Sequence, residues 1–319
     1  MPFRFRPGKE GLNRYSVAKF FVSSLIFASL SGCFDLNEVT QLAKTADGAK
    51  ANLITIAADF KGSCDRQNLY VPVPPPAPPP PEPCVNSDDL DKLGKNLVVE
   101  QNVLLSYFNA LGKLASIDPT GFEKSANDLD TSFKTAGLST AQQKAASATA
   151  KLASAISKLV LGEYREHTIV SIVKDYNDDV VALANSLAEQ VAPCDPSAEH
   201  CSPDGTAASY TSLLENERVV MDSYYTIPLG QYLATNKDLD SLVAILVQRQ
   251  YQLDKTQLQS REDAAKAYRK LMLSLAKAHG KLADAAKNNK FDVKQLSKDL
   301  LPDLAQAGEA AVDLQKNSR

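Results

Sequence analysis

From Asp35 onward, apolar residues recur at three- and four-residue steps for most of the chain, the spacing that places them on one face of an α-helix. Leu36, Val39, Ala43, Ala46, Leu53, Ile56 and Phe60 predict a first helix. Asp35 and Glu38 open it as a capping box, Asp35 taking an early backbone N–H and Glu38 reaching back. Cys64 is expected just beyond its end. A second helix starts at Ser87, Asp88 and Asp89 and carries Leu90, Leu93, Leu97, Leu104, Tyr107, Leu111 and Leu114, with Glu100 interrupting the stripe. The segment Ser116 to Gly121 ends it, and a shorter helix follows over 120–136. From Ala141 to Ala192 no proline intervenes. The first part is alanine-rich, and the second carries Ile169, Ile172, Tyr176, Val180, Leu183, Leu187 and Val191. Gly162 is the expected break, because an interior glycine costs about 1 kcal/mol relative to alanine. Further helices are expected near 206–226 and 238–288. The second of these holds Ala264, Tyr268, Leu271, Leu275, Ala278, Leu282 and Ala285 in heptad steps. A last helix over 291–315 contains Pro302, which marks a fresh start or a kink. Glycine is scarce, with 14 residues, tryptophan is absent, and alternating strand-like runs are hard to find. The expectation is an all-α fold, an elongated antiparallel helical bundle with long coiled-coil-like helices.

One segment breaks the helical pattern. Pro72 to Pro83 holds nine prolines in twelve positions, and Cys64 and Cys84 flank it. It could be a stiff strut, a ligand for a proline-reading groove, or a loop closed by a disulfide. As a straight polyproline helix, Pro72 to Cys84 extends about 37 Å. The path back from Cys64 to Pro72 reaches at most about 29 Å. A Cys64–Cys84 bridge therefore requires a bend, and a bent, clasped inter-helix loop over 64–84 is the expectation.

The N-terminus has its own logic. Arg4, Arg6, Lys9, Arg14 and Lys19 form a basic leader, and Phe20 to Leu30 form an apolar stretch. That stretch is too short to span a bilayer, which needs about 20 residues, and it fits the core of an export signal. Leu30-Ser31-Gly32-Cys33 at its exit resembles the lipobox of bacterial lipoproteins. The resemblance implies that residues 1–32 are removed, that the Cys33 thiol receives a diacylglycerol, and that its freed amine is acylated, palmitate being a typical chain. Two or three acyl chains give stable anchoring where one is marginal. In that family an aspartate directly after the cysteine favours retention in the inner membrane. Phe34 stands there, with Asp35 one later, so the outer membrane, facing the periplasm, is favoured. The resemblance covers the leader alone and assigns no family to residues 33–319, which read as one helical bundle domain.

Charge and cysteine usage follow from this compartment. Removing the leader, with its five basic residues and Glu10, moves the net charge from −3 to about −7. That balance argues against nucleic acid as a partner. Lys255 to Lys298 runs against the trend, with eleven Lys or Arg facing four Asp or Glu. It reads as a solvated helix face, or as a patch for an acidic partner. Apart from Cys33, four cysteines remain, and Cys64, Cys84, Cys194 and Cys201 read as a disulfide set with about three possible connectivities. Each of the four follows or precedes an expected helix end. Local pairing, Cys64 with Cys84 and Cys194 with Cys201, is therefore preferred.

Candidate chemistry is thin. The sequence has no Gly-x-Ser-x-Gly elbow, no phosphate-cradling glycine loop and no His-Glu-x-x-His. His167, His200 and His279 fall in three different predicted elements. Asp175, Asn177 and Asp179 imitate the start of a calcium loop, but Val180 replaces its glycine and Ser186 its closing glutamate. Cys194, His200 and Cys201, with Asp195, Glu199 and Asp204, could suggest a metal cluster. A disulfide-closed helix turn accounts for the same residues. Tyr224 with Tyr225, and Tyr107 with Phe108, read as packing between helices rather than as a ligand platform. No catalytic residue, metal or cofactor is assigned. The functional expectation is a lipid-anchored, non-enzymatic cell-envelope protein, held to the membrane by its N-terminal lipid. It would act as a periplasmic scaffold or as a module binding an envelope protein or the cell wall. The alternative is a carrier or chaperone that holds a lipid or other apolar ligand between helices.

Overall fold

The computed structural model describes residues 37–70, 87–115, 165–193, 209–226, 241–287 and Pro302. The chain divides into two units, Met1–Cys33 and Phe34–Arg319, and every described residue falls in the second. Six helices pack against one another there: α1 (Asn37–Leu69), α2 (Ser87–Ala115), α3 (Arg165–Asp175), α4 (Asn177–Val191), α5 (Tyr210–Thr226) and α6 (Ser241–Lys287). Among the described residues no strand occurs, and the fold is an all-α helical bundle. No helix among them is long and apolar enough to cross a membrane. Cys33, Cys84, Cys194, Cys201, the proline-rich run, Gly162 and the helices expected over 120–136 and 291–315 lie outside the described residues, apart from Pro302.

The α1 core face follows a strict heptad. Val39, Leu42, Ala46, Ala49, Leu53, Ile56, Phe60, Ser63 and Gln67 alternate three- and four-residue steps without a slip, and all are buried. On α2, Leu90, Gly94, Leu97, Gln101, Leu104, Phe108, Leu111 and Ala115 do the same. The two helices form the most extensive packed pair of the bundle. Their backbones come unusually close. A methyl group added at Gly94 would sit 2.3 Å from the Ala57 carbonyl oxygen, and one at Gly112 would sit 2.3 Å from the Ala43 Cβ. Gly94 opposite Ala57 and Gly112 opposite Ala43 also fix an antiparallel register. Continued seven residues, that register sets Cys64 level with Ser87.

The remaining helices complete the up-and-down arrangement. Tyr210 of α5 bonds to Asp59 of α1, and Gln67 of α1 bonds to Leu213 of α5, so these two helices run parallel. Asn177 meets His279 while Arg269 meets Ala192, so α4 and α6 run antiparallel. Gln101 meets Tyr268 and Tyr107 meets His279, so α2 and α6 run the same way. With 47 residues, α6 is the longest element, about 70 Å at the usual rise. Its heptad residues Ala264, Tyr268, Leu271, Leu275, Ala278 and Leu282 are all buried. Its first turns reach past the last residues of α1 and α5, whose ends meet it near Tyr251 and Asp254.

Two boundaries depart from the sequence reading. The apolar stripe stops at Phe60, yet α1 continues to Leu69 and takes Cys64 inside the helix, fully buried. The reason is tertiary: Ser63 and Gln67 occupy the next core positions and bond to α5, so polar side chains there support the helix as leucines would. Cys64 is disulfide-bonded, and its partner is not among the described residues. The start of α5 is later than the pattern suggests, because Ser209 caps it: its Oγ accepts from the Ser212 N–H at 3.2 Å. Within 165–193, the helix breaks at Tyr176, a single turn residue between α3 and α4 with φ −109° and ψ 10°.

The two kinds of glycine position give a paired test. Gly94→Ala should destabilise the bundle by about 1–3 kcal/mol or more, because backbone rather than a movable side chain blocks the new methyl. Gly48→Ala, on the facing helix α1 but with nothing within 4 Å of the added methyl, should stabilise by up to about 1 kcal/mol. Denaturant unfolding of both variants measures the difference, and equal effects would contradict the close approach.

Candidate functional site

Among the described residues, polar side chains of the bundle gather in four places, each positioned by two or three helices. The first joins α1, α5 and α6. Arg66 donates to both carboxylate oxygens of Asp59 at 2.7 and 2.6 Å, and through Nε to Glu217 Oε1 at 2.8 Å. Arg261 donates to the same Glu217 oxygen at 2.6 Å. Ser63 Oγ donates to Glu217 Oε2 at 2.8 Å, and Tyr210 donates to Asp59 at 2.6 Å. All four carboxylate oxygens therefore hold a donor, and two guanidinium groups balance two carboxylates. Burial would lower the Arg66 pKa, but the hydrogen bonds to Asp59 and Glu217 outweigh it and hold it above its ordinary value. Burial and the neighbouring Asp59 charge push the Tyr210 hydroxyl up as well. Such a charge-balanced node clamps three helices together: every carboxylate oxygen holds a donor, and the buried Arg261 Nε alone stays without a hydrogen-bond partner, 4.0 Å from Asp59 Oδ2.

The second cluster surrounds His279, which is fully buried. Its Nδ1 lies 3.2 Å from Asn177 Oδ1, and its Nε2 lies 2.8 Å from the Tyr107 hydroxyl. An amide oxygen only accepts, so Nδ1 carries the proton and Nε2 accepts from Tyr107. Burial pushes the His279 pKa down to about 3, so the ring stays neutral. Both nitrogens are engaged, and the ring packs against Tyr107 and Phe108 at centroid distances of 5.5 and 6.0 Å. Asn177, from the calcium-like sequence, is thus committed to His279. His167 lies in α3 and His200 lies outside the described residues; among the described residues no group of three potential metal ligands occurs.

The third is centred on Glu100, which is wholly buried on α2. Gln190 of α4 donates to its Oε2 at 2.7 Å, while its Oε1 has no hydrogen-bond partner. Burial raises its pKa to about 7, and the Gln190 bond opposes that shift only in part. Next to it on the helix, Gln101 donates to Tyr268 at 2.9 Å, and its own Oε1 also lacks a partner.

The fourth lies where α1 and α5 end against α6. Tyr70, Tyr224, Tyr225 and Tyr251 form a contiguous set of rings, and Asp254 and Asp222 anchor the hydroxyls of Tyr225 and Tyr251 at 2.7 and 2.9 Å. Glu100, Tyr107, Phe108 and the tyrosine pair stand out in the sequence, whereas Asp59, Arg66, Glu217 and Arg261 do not. The available signal was Ser63 and Gln67 continuing the α1 heptad as polar residues. Of the basic residues over 255–298, Arg261 enters the charged node and Arg269 donates to the Ala192 carbonyl at 2.7 Å, capping the end of α4. Lys266, Lys270, Lys277 and Lys281 fall instead on one outer ridge of α6. Comparison of the chain with protein-family models, with curated proteins and with solved structures finds no match in any of the three.

Glu100 and His279 give opposed pH dependences. Glu100 keeps its proton in the folded state to about pH 7, whereas an unfolded glutamate releases it near 4.5. Its stabilising effect is therefore present at low pH and is lost as pH rises through that window, a change of about 3 kcal/mol. His279 acts in reverse, its contribution falling as pH drops from 6.5 towards about 3. Glu100→Gln should therefore match the parent near pH 4 and exceed its stability by about 2–3 kcal/mol at pH 8. Denaturant unfolding across that range checks this, and a constant difference at all pH values would show that Glu100 does not titrate.

Proposed function

We propose that this chain is a lipid-anchored, non-enzymatic protein of the bacterial cell envelope. It is held at Cys33 in the outer membrane and works in the periplasm as a scaffold or partner-binding module. The observation that carries the partner-binding part is the start of α6. Val243, Ile245 and Leu246 are 40, 62 and 54 % exposed, and Leu253 further along is 47 % exposed. Val243, Leu246 and Leu253 fall at three- and seven-residue steps, on one face of a helix that has outrun its neighbours α1 and α5. An apolar helix face of this kind suits docking of an envelope protein. The charged node and the His279 cluster support the non-enzymatic reading, because the carboxylate oxygens of the one and both ring nitrogens of the other are engaged between helices. The tight α1–α2 seam, where one added methyl does not fit beside Ala57, supports the scaffold reading over a carrier, which needs a groove between helices.

The disulfide arrangement belongs to the same proposal. The antiparallel register sets buried Cys64 level with Ser87, and Cys84 lies three residues before that helix start. A Cys64–Cys84 bridge then clasps the α1–α2 hairpin, contributing about 2–4 kcal/mol by restricting the unfolded chain, and Cys194–Cys201 closes the turn before α5. Non-reducing peptide mapping should return these two pairs; Cys64 joined to Cys194 or Cys201 would overturn the clasp.

Photo-crosslinking residues placed at 245 and 246, and separately at 266 and 277, test the partner surface in intact cells. Capture of an envelope protein or of cell-wall material at 245 or 246 is expected. Capture at 266 or 277 alone would move the surface to the lysine ridge. No adduct at any of the four positions would count against partner binding altogether.

A further inference from the structure

The tyrosine cluster lies between the charged node, whose Glu217 and Arg261 act on Tyr70, and the exposed apolar residues of α6. Ring centroids are 5.8 Å apart for Tyr70 and Tyr224, 6.1 Å for Tyr70 and Tyr225, 5.2 Å for Tyr224 and Tyr225, and 4.9 Å for Tyr225 and Tyr251. All four residues are partly exposed, and Leu69 beside them is 75 % exposed. The hydroxyls of Tyr225 and Tyr251 are bound to Asp254 and Asp222, so their rings are held across α5 and α6 while part of their surface still meets solvent. Fixed aromatic surfaces of this kind are what proline-rich segments bind: a polyproline helix is already extended, loses little freedom on docking, and lays its flat rings on aromatic ones.

We infer that Tyr70, Tyr224, Tyr225 and Tyr251 form a polyproline-binding platform, and that its occupant is this chain's own segment beginning at Pro72. Three observations commit the site to that occupant. Pro72 follows Tyr70 by two residues, about 6 Å of polyproline helix, so the first prolines start beside the rings at a high effective concentration. The α1–α2 register then limits where the segment can go. Ser87 lies level with Cys64, about 9 Å below Tyr70 along α1, so the connection must turn back towards the bundle instead of running straight out. Finally, Val71 to Pro81 carries no charge and is apolar throughout, so covering its surface against tyrosine rings is favourable, and Glu82 first interrupts it only near its far end. This inference is independent of the partner proposed for α6, and a failure of either leaves the other standing.

The test uses the full chain with Pro72, Pro74, Pro75 and Pro76 replaced by serine, a change that keeps loop length and cysteines. Circular dichroism and unfolding verify that the bundle is retained. A synthetic peptide of residues 71–83, VPVPPPAPPPPEP, is titrated into parent and variant while the tyrosine ring resonances are followed by NMR. The ring signals of Tyr224 and Tyr225 should differ between parent and variant. The peptide should bind the variant at least ten-fold more tightly than the parent and return those signals towards their parental positions. Adding Tyr225→Ala to the serine variant should abolish the binding. Equal peptide affinity for parent and variant would mean an open platform that serves proline-rich segments of other molecules, overturning the internal occupant. Identical ring signals in the two chains, with no peptide binding to either, would overturn the platform itself.

Discussion

The arrangement of the bundle depends on how closely α1 and α2 approach. Gly94 lies against the Ala57 carbonyl and Gly112 against the Ala43 methyl, with no space for a side chain at either glycine. A glycine inside a helix is unfavourable by about 1 kcal/mol against alanine, and here that cost is offset by an interface in which backbone packs on backbone. The approach fixes register as well as distance. It places Cys64 level with the start of α2 and turns Asp59, Ser63, Arg66 and Gln67 towards α5 and α6. Every later contact of α1 inherits that orientation.

The core then handles polarity in two different ways. At the charged node, each carboxylate oxygen has a donor, and two arginines from separate helices share one glutamate oxygen. The largest fully buried side chains are Tyr107, Tyr210 and Tyr268, which fill volume while bonding their hydroxyls to His279, Asp59 and Gln101 respectively. A chain without tryptophan thus obtains bulky core residues that also specify partners. Glu100 is the opposite case, a carboxyl with one oxygen satisfied and the other bare, whose burial favours the neutral form. The node fixes which helices meet, whereas Glu100 ties the stability of the α2–α4 contact to pH.

The outer surface divides in a corresponding way. The lysine ridge of α6 is interspersed with Asp263 and Asp284 and reads as a solvated face, Lys266 pairing with Asp263 at 3.6 Å. Apolar exposure is instead concentrated at the start of α6, beyond the helices that cover its later turns, and beside the ends of α1 and α5.

Periodicity alone was enough for the fold class, for the limits of α2 and for most of α6, because those stretches place apolar residues at core positions throughout. The three- and four-residue steps from Ala264 to Leu282 needed no partner to be read. Where core positions are polar, the pattern was silent. Ser63 and Gln67 keep the heptad step past Phe60, but as polar residues they do not mark a core face, because their suitability for the core comes from Leu213 and Glu217, about 150 residues away. The same holds for Asp59, Arg66 and Arg261, which look like ordinary surface charges until three helices bring them together. Glu100 was visible as an interruption, but its environment was not. Among the described residues, the spacing of apolar side chains and the paucity of glycine were sufficient to mark the helical segments, though not the break at Tyr176. The sequence by itself also carries an N-terminal stretch that resembles an export leader with a lipobox-like exit. Tertiary structure decided which polar residues are interior, how far α1 runs, and which part of α6 stays uncovered. Those outcomes depend on side chains distant in sequence, and a local pattern carries no information about them.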